Sequence, residues 1–136
     1  MIDFDEERKK RYSNQIIEAL DAYSYRYKRY NIHFAVALCY CQKDLVLGEL
    51  ETLKRKTDSF LLLEEHLASL VFDCVDHNAS LQTSQKLQNW FEEKCSEGEY
   101  FIRVFCTLEY ESASKVVDAL FEALETYLFE LKLQKV

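Results

Sequence analysis

Apolar residues recur at steps of four and three through the first thirty positions. Ile16, Leu20, Tyr23, Tyr27 and Tyr30 share one stripe, the period of an α-helix buried along one face. Glu6, Glu7, Arg8, Lys9, Lys10, Arg26, Lys28 and Arg29 occupy the other faces. The spacing predicts a long helix over 4–30, ended by Asn31, a residue that accepts the left-handed cap conformation. Positions 32–41, Ile-His-Phe-Ala-Val-Ala-Leu-Cys-Tyr-Cys, are an unbroken apolar run of strand length, which suits a central strand covered on both faces. Leu45, Leu47, Leu50 and Leu53 predict a short helix over 43–56 with Asp44 as its N-cap. Strands over 59–63 and 69–73 follow around a polar turn at 64–67, although Leu61 to Leu70 also satisfies a helical reading. Leu81, Leu87, Trp90 and Phe91 predict a helix over 79–94. Asp73, Asp76 and His77 read as its entry, with an Asp as cap. Ser96, Glu97 and Gly98 break it, and the aromatic and β-branched run over 99–109 reads as a strand. Ser112 or Ser114 then caps a last helix over 112–134. Its face, Val116, Val117, Leu120, Leu124, Tyr127, Leu128 and Leu131, is the clearest amphipathic pattern in the chain.

The order is helix, then βαββαβ, then helix. It predicts an α+β fold with a ferredoxin-like βαββαβ core over 32–109, a long N-terminal helix and a C-terminal helix, in a single domain over 1–136. Helices are expected on one face of a four-stranded antiparallel sheet, with the first or the last helix adding to it.

Composition narrows the function classes. The 136 residues include two glycines and no proline, which favours long regular elements and argues against a Gly-rich phosphate loop. The net charge of −7 disfavours nucleic-acid polymers, whose binding rests on phosphate neutralisation. Tyr12, Tyr23, Tyr27 and Tyr30, interleaved with Arg26, Lys28 and Arg29, resemble a base-stacking surface. The acidic balance instead points the stripe at the sheet or at a partner helix. The first eleven residues are too charged for a signal peptide, and no apolar run approaches the roughly 20 residues of a membrane span. A cytoplasmic protein, off the membrane, is expected.

Five cysteines, Cys39, Cys41, Cys74, Cys95 and Cys106, include no Cys-x-x-Cys pair. Cys39 and Cys41 fall on one strand face and could supply half a metal site. Without the remaining ligand spacings they read as buried thiols of a reducing compartment, and no metal or cofactor is expected. His33, His66 and His77 are isolated. His66 beside Glu64 and Glu65 reads as a solvated hairpin turn rather than an acid–base or metal cluster.

The segment Arg55-Lys-Thr-Asp58, five residues before the turn Glu64-Glu-His-Leu-Ala68, resembles the bacterial diguanylate cyclase (GGDEF) family. In that family an Arg-x-x-Asp step stands five residues before the Gly-Gly-Asp-Glu-Phe turn. Lys10, Arg11 and Tyr12 are similar to the family's Asn-Arg-Arg-Tyr/Phe signature without its Asn. Arg29 and Tyr30 fit the Arg-Tyr before its first strand, and Ala113 to Leu124 fits its last helix. The departures imply lost catalysis. Leu38, Cys39, Tyr40, Cys41 and Gln42 offer no metal-binding carboxylate, and the guanine-holding segments are absent. Glu64 and Glu65 replace the turn glycines, and Leu67 stands where a metal-binding glutamate is needed. Phosphoryl-type chemistry depends on such positioned metal and charge, so no catalytic residues are assigned.

The resemblance implies a non-enzymatic bacterial signalling module, a degenerate GGDEF domain. Such a module would be a cyclic di-GMP receptor through Arg55 and Asp58. An arginine fork can pair with guanine O6 and N7 or grip phosphate, and a carboxylate can accept the guanine amine protons. Arg26 and Arg103 are candidates for the second arginine that the family's site recruits. On residue chemistry alone, Lys54, Arg55 and Lys56 also suit a helix C-terminus and Asp58 an ordinary turn. The alternative is a protein–protein interaction or dimerisation scaffold that binds no nucleotide and self-associates or meets a partner through its N-terminal helix and the sheet's altered active-site face.

Overall fold

Capping chemistry sets the limits of the first helix in the computed structural model, which describes residues 5–43, 47–74, 77–106 and 112–134. Helix α1 runs Glu6–Tyr30. The Asp5 carboxylate accepts from the Arg8 N–H at 2.7 Å, satisfying a donor that the helix start leaves open. Asn31 closes the helix in the left-handed region at φ 57°. The buried stripe is Tyr12, Ile16, Leu20 and Tyr23. It begins one turn earlier than the apolar spacing suggested, and Tyr30 at its far end is 61% exposed.

Four strands follow: β1 His33–Cys41, β2 Ser59–Glu64, β3 Leu67–Cys74 and β4 Tyr100–Cys106. They form one antiparallel sheet in the order β2-β3-β1-β4. The strand reading prevails over the helical one at Leu61–Leu70. Alternate residues there feed opposite faces, Leu61 and Leu63 to one and Phe60 to the other, as a pleat requires. The turn tightens to Glu65 and His66, with an irregular register between Leu62 and Glu64. Asp73 lies within β3 rather than capping a helix, and Asp76 lies outside the described residues.

The β1–β2 connection departs from expectation. It carries a seven-residue 3-10 helix, Leu47–Leu53, in place of a helix over 43–56, and Asp44 lies outside the described residues. Helix α2 spans His77–Lys94 and helix α3 Ala113–Gln134. The Ser112 hydroxyl accepts from the Lys115 N–H at 3.2 Å. That satisfies an open donor at the start of α3 and selects Ser112 over Ser114 as its cap.

Helices cover both faces of the sheet, not one. On one face α1 and α3 pack on Phe34, Val36, Leu38 and Tyr40 of β1 and Leu67 and Val71 of β3. On the other, α2 and the 3-10 helix bring Leu87, Phe91, Leu47 and Leu50 onto Ala35, Ala37, Cys39 and Cys41. Strand β1 therefore shows large residues to the long helices and small ones to α2. The small ones make room for Phe91, which stacks on Tyr100 with ring centroids 5.1 Å apart. The continuous apolar run of β1 reflects this double cover.

Two predictions follow from the double core. Phe91→Ala is expected to cost about 3–5 kcal/mol in denaturant unfolding, the range for deleting a fully buried ring; a near-neutral result would mean that the α2 face carries no core. The second concerns alkaline pH. Burial pushes Cys39 up to about 12 from an ordinary 9.0. It also pushes Tyr127, whose hydroxyl donates to the Gly98 carbonyl at 2.7 Å, up to about 12 from 10.0. Above these ordinary values the unfolded chain releases protons that the folded chain keeps, so stability falls as pH rises. Unfolding midpoints should be insensitive to these groups below pH 9 and decline between pH 9 and 12.

Candidate functional site

The chain leaves the 3-10 helix through a tight turn in which the Asp58 N–H donates to the Arg55 carbonyl at 3.1 Å. The turn aims the Asp58 side chain back into the protein, where it is 1% exposed. Its carboxylate accepts the backbone N–H groups of Arg55 and Asp73, each at 2.8 Å. It also accepts the Arg55 Nε at 3.2 Å and Nη2 at 3.3 Å. Arg55 Nη2 donates in addition to the Asp73 carbonyl. A buried carboxylate is tolerated when charge-assisted hydrogen bonds fill its lone pairs, and here four donors do so.

Helix α1 grips the same turn from the other face of the sheet. The Tyr23 hydroxyl donates to the Thr57 carbonyl at 2.7 Å and lies 2.8 Å from Ser59 Oγ. Burial, more than any neighbouring charge, holds this hydroxyl above the usual tyrosine range. The Arg26 guanidinium covers the Tyr23 ring at 4.6 Å and pairs with the Asp73 carboxylate at 3.3 Å. Arg26 is thus committed on the α1 side. Arg103 lies on β4, at the opposite edge of the sheet from β2, with its guanidinium over the Phe105 ring. Arg26 and Arg55 meet at Asp73, the first at its carboxylate and the second at its carbonyl.

A further cation, Lys86 of α2, lines a cavity together with Arg55. This cavity of about 200 Å³ opens between the end of the 3-10 helix, β3 and α2. Leu53, Phe72 and Leu87 give it an apolar floor, and Arg55, Asp58, Asp73, Gln82, Thr83 and Lys86 bring the polar groups. A guanidinium carries five N–H groups, and Asp58 and Asp73 engage those on Nε and Nη2. Among the described residues no acceptor meets Nη1, and no carboxylate pairs with Lys86. Sequence reasoning missed Gln82, Thr83 and Lys86. They follow one another on a polar helix face, and only the packing of α2 beside Arg55 gives them a role.

The hairpin turn provides no second centre. The Tyr12 hydroxyl donates to Glu64 Oε2 at 2.5 Å, joining Glu64 to α1, while Glu65 is exposed. Leu67 is fully buried, as are Cys39 and Cys41. Among the described residues no group of three or more His, Cys, Asp or Glu is placed to hold a metal ion.

No protein-family model, curated protein or solved structure matches the chain. The likeness to the GGDEF family therefore rests on this chain's own residues.

Removing the Asp58 carboxylate leaves the Asp73 and Arg55 N–H groups and a guanidinium without their acceptor. Asp58→Ala is expected to destabilise the fold by about 3 kcal/mol, in the range for breaking a buried charged network. Urea unfolding measures it, and an unchanged midpoint would contradict a structural role for the carboxylate.

Proposed function

We propose that the chain is a non-enzymatic signalling module of the degenerate GGDEF type that works in the bacterial cytoplasm. It receives cyclic di-GMP in the cleft between the 3-10 helix and α2. The observation that carries this reading is the cleft itself. Arg55 is bonded to Asp58 with its Nη1 uncommitted among the described residues, in a cleft that Lys86 also lines, above an apolar floor. In this arrangement Arg55 Nη1 and the Lys86 ammonium take phosphate oxygens, which accept charge-assisted bonds from both. A base lies on Phe72 and Leu87, with Gln82 and Thr83 at its polar edge. Asp58 positions Arg55 and does not touch the ligand, because its lone pairs are already filled. The cleft is smaller than the roughly 300–1,000 Å³ of sites that enclose a ligand. It therefore seats one base and its phosphate, and the other half of the dinucleotide stays outside.

The fold supports the same reading in part. With β3 between β2 and β1, the strand order suits a split βαββαβ arrangement of the ferredoxin-like kind. The 3-10 helix in the first crossover is a departure from it. The absence of a carboxylate along the described part of the β1 end, and the burial of Leu67, support a domain without cyclase chemistry. The alternative, a scaffold that binds no nucleotide, draws on Phe129 and Leu133, which are 61% and 59% exposed one turn apart on α3.

Calorimetric titration of cyclic di-GMP separates the two. Micromolar affinity is expected for the wild type, weakened about tenfold or more in Arg55→Ala and in Lys86→Ala, the scale of losing one charged hydrogen bond. Lys86→Ala should keep wild-type unfolding behaviour, since no internal partner among the described residues depends on it. No heat with folded wild-type protein at high ligand concentration sinks the receptor reading and leaves the scaffold.

A further inference from the structure

Three of the five cysteines, Cys39, Cys74 and Cys106, are buried free thiols. The other two meet. Cys41 Sγ and Cys95 Sγ are 3.6 Å apart, although the residues are 54 positions apart in sequence. Cys41 is the last residue of β1, fully buried, with its N–H bonded to the His66 carbonyl at 3.1 Å. Cys95 follows the last residue of α2, with its N–H on the Phe91 carbonyl at 2.8 Å. It is half-buried and lines a surface depression of about 440 Å³ with Gln88, Glu92, Glu97 and Tyr100. One cysteine thus borders the surface depression and the other, fully buried, lies in contact with it.

We propose that Cys41 and Cys95 are a disulfide-forming pair, oxidised by thiol–disulfide exchange with a small-molecule disulfide that enters the depression beside Cys95. The Cys95 thiolate attacks one sulfur of the small disulfide, expelling the first thiolate and leaving a mixed disulfide on Cys95. The Cys41 thiolate then attacks Cys95 Sγ. The Cys41–Cys95 bond forms, the mixed disulfide breaks and the second small thiolate departs. The protein loses two electrons and two protons, and the small disulfide becomes two thiols. The sulfurs must close to about 2.05 Å. Cys95 can supply the movement, because it sits at a helix end before a turn in which Gly98 adopts φ 86°.

The surroundings set the speed and the preferred reagent. Burial, and then contact with Cys41, push the Cys95 thiol up to about 11. The charged and titratable groups around it are Cys41 of β1, Lys43, Glu92 of α2, Glu97 and Glu99 of the turn, and Tyr100 of β4. Exchange is therefore slow at neutral pH and quickens as pH rises, and the acidic rim favours a cationic disulfide.

The test exposes the intact chain to cystamine under native conditions, quenches in acid, unfolds, alkylates and maps the peptides. The expected result is a monomer lighter by two hydrogens, with two of five thiols lost and the Cys41 peptide linked to the Cys95 peptide. Its thermal midpoint should rise by about 5 °C, because the bond closes a long loop. Dithiothreitol reverses the change, Cys95→Ala abolishes it and Cys39→Ala does not. A bond to Cys39, Cys74 or Cys106, a mixed disulfide that persists on Cys95, or five thiols left after prolonged exposure each overturns the proposal. The map reads the wild-type chain directly, so the result is independent of how any variant folds and of what the Arg55 cleft binds.

Discussion

The buried Asp58 carboxylate is the joint on which three parts of the molecule meet. It takes the Asp73 N–H from the end of β3 and the Arg55 N–H and guanidinium from the turn after the 3-10 helix. The Thr57 carbonyl and the Ser59 hydroxyl that flank it are held by Tyr23 of α1. A carboxylate at this depth is costly unless every lone pair finds a donor. Satisfying it therefore dictates where the crossover ends, how β2 enters the sheet beside β3 and how α1 lies across both. The cleft beside α2 is a consequence. Arg55 is oriented by its inward bonds, and what it offers outward is what Asp58 leaves over.

Strand β1 imposes the second constraint. Its alternation of Phe34, Val36, Leu38 and Tyr40 with Ala35, Ala37, Cys39 and Cys41 gives the sheet a thick side and a thin side. Long helices with apolar stripes, α1 and α3, fill the thick side. On the thin side α2 comes close enough for Phe91 to reach Tyr100. The same closeness carries the end of α2 to the end of β1, where Cys95 touches Cys41. A larger residue at position 41 would push the end of α2 outward and separate the two.

Much of this architecture is legible along the chain. The stripe of α3, the cap Asn31, and the strand character of β1 and β4 are local properties, fixed by periodicity and by one or two side chains. The 3-10 helix was not legible. Leu47, Leu50 and Leu53 at steps of three fit an α-helix as well, and only the buried seats of Leu47 and Leu50 under the sheet select the tighter winding. The placement of helices on both faces was half legible. The unbroken apolar run of β1 demanded double cover, but no pattern in α2 says which face it takes.

The sequence by itself determined the long helices, the strand character of β1 and β4 and the presence of an Arg-x-x-Asp step before an apolar run, because these depend on neighbours a few residues away. Tertiary structure alone decided which way that step faces. Arg55 and Asp58 have the same spacing whether the carboxylate points to solvent or inward. The choice depends on the Asp73 N–H, fifteen positions on, which stands unpaired unless Asp58 turns in to meet it. Tertiary structure likewise set Lys86 in the cavity that Arg55 lines and Arg103 at the far edge of the sheet, because charge in sequence carries no information about distance across a sheet.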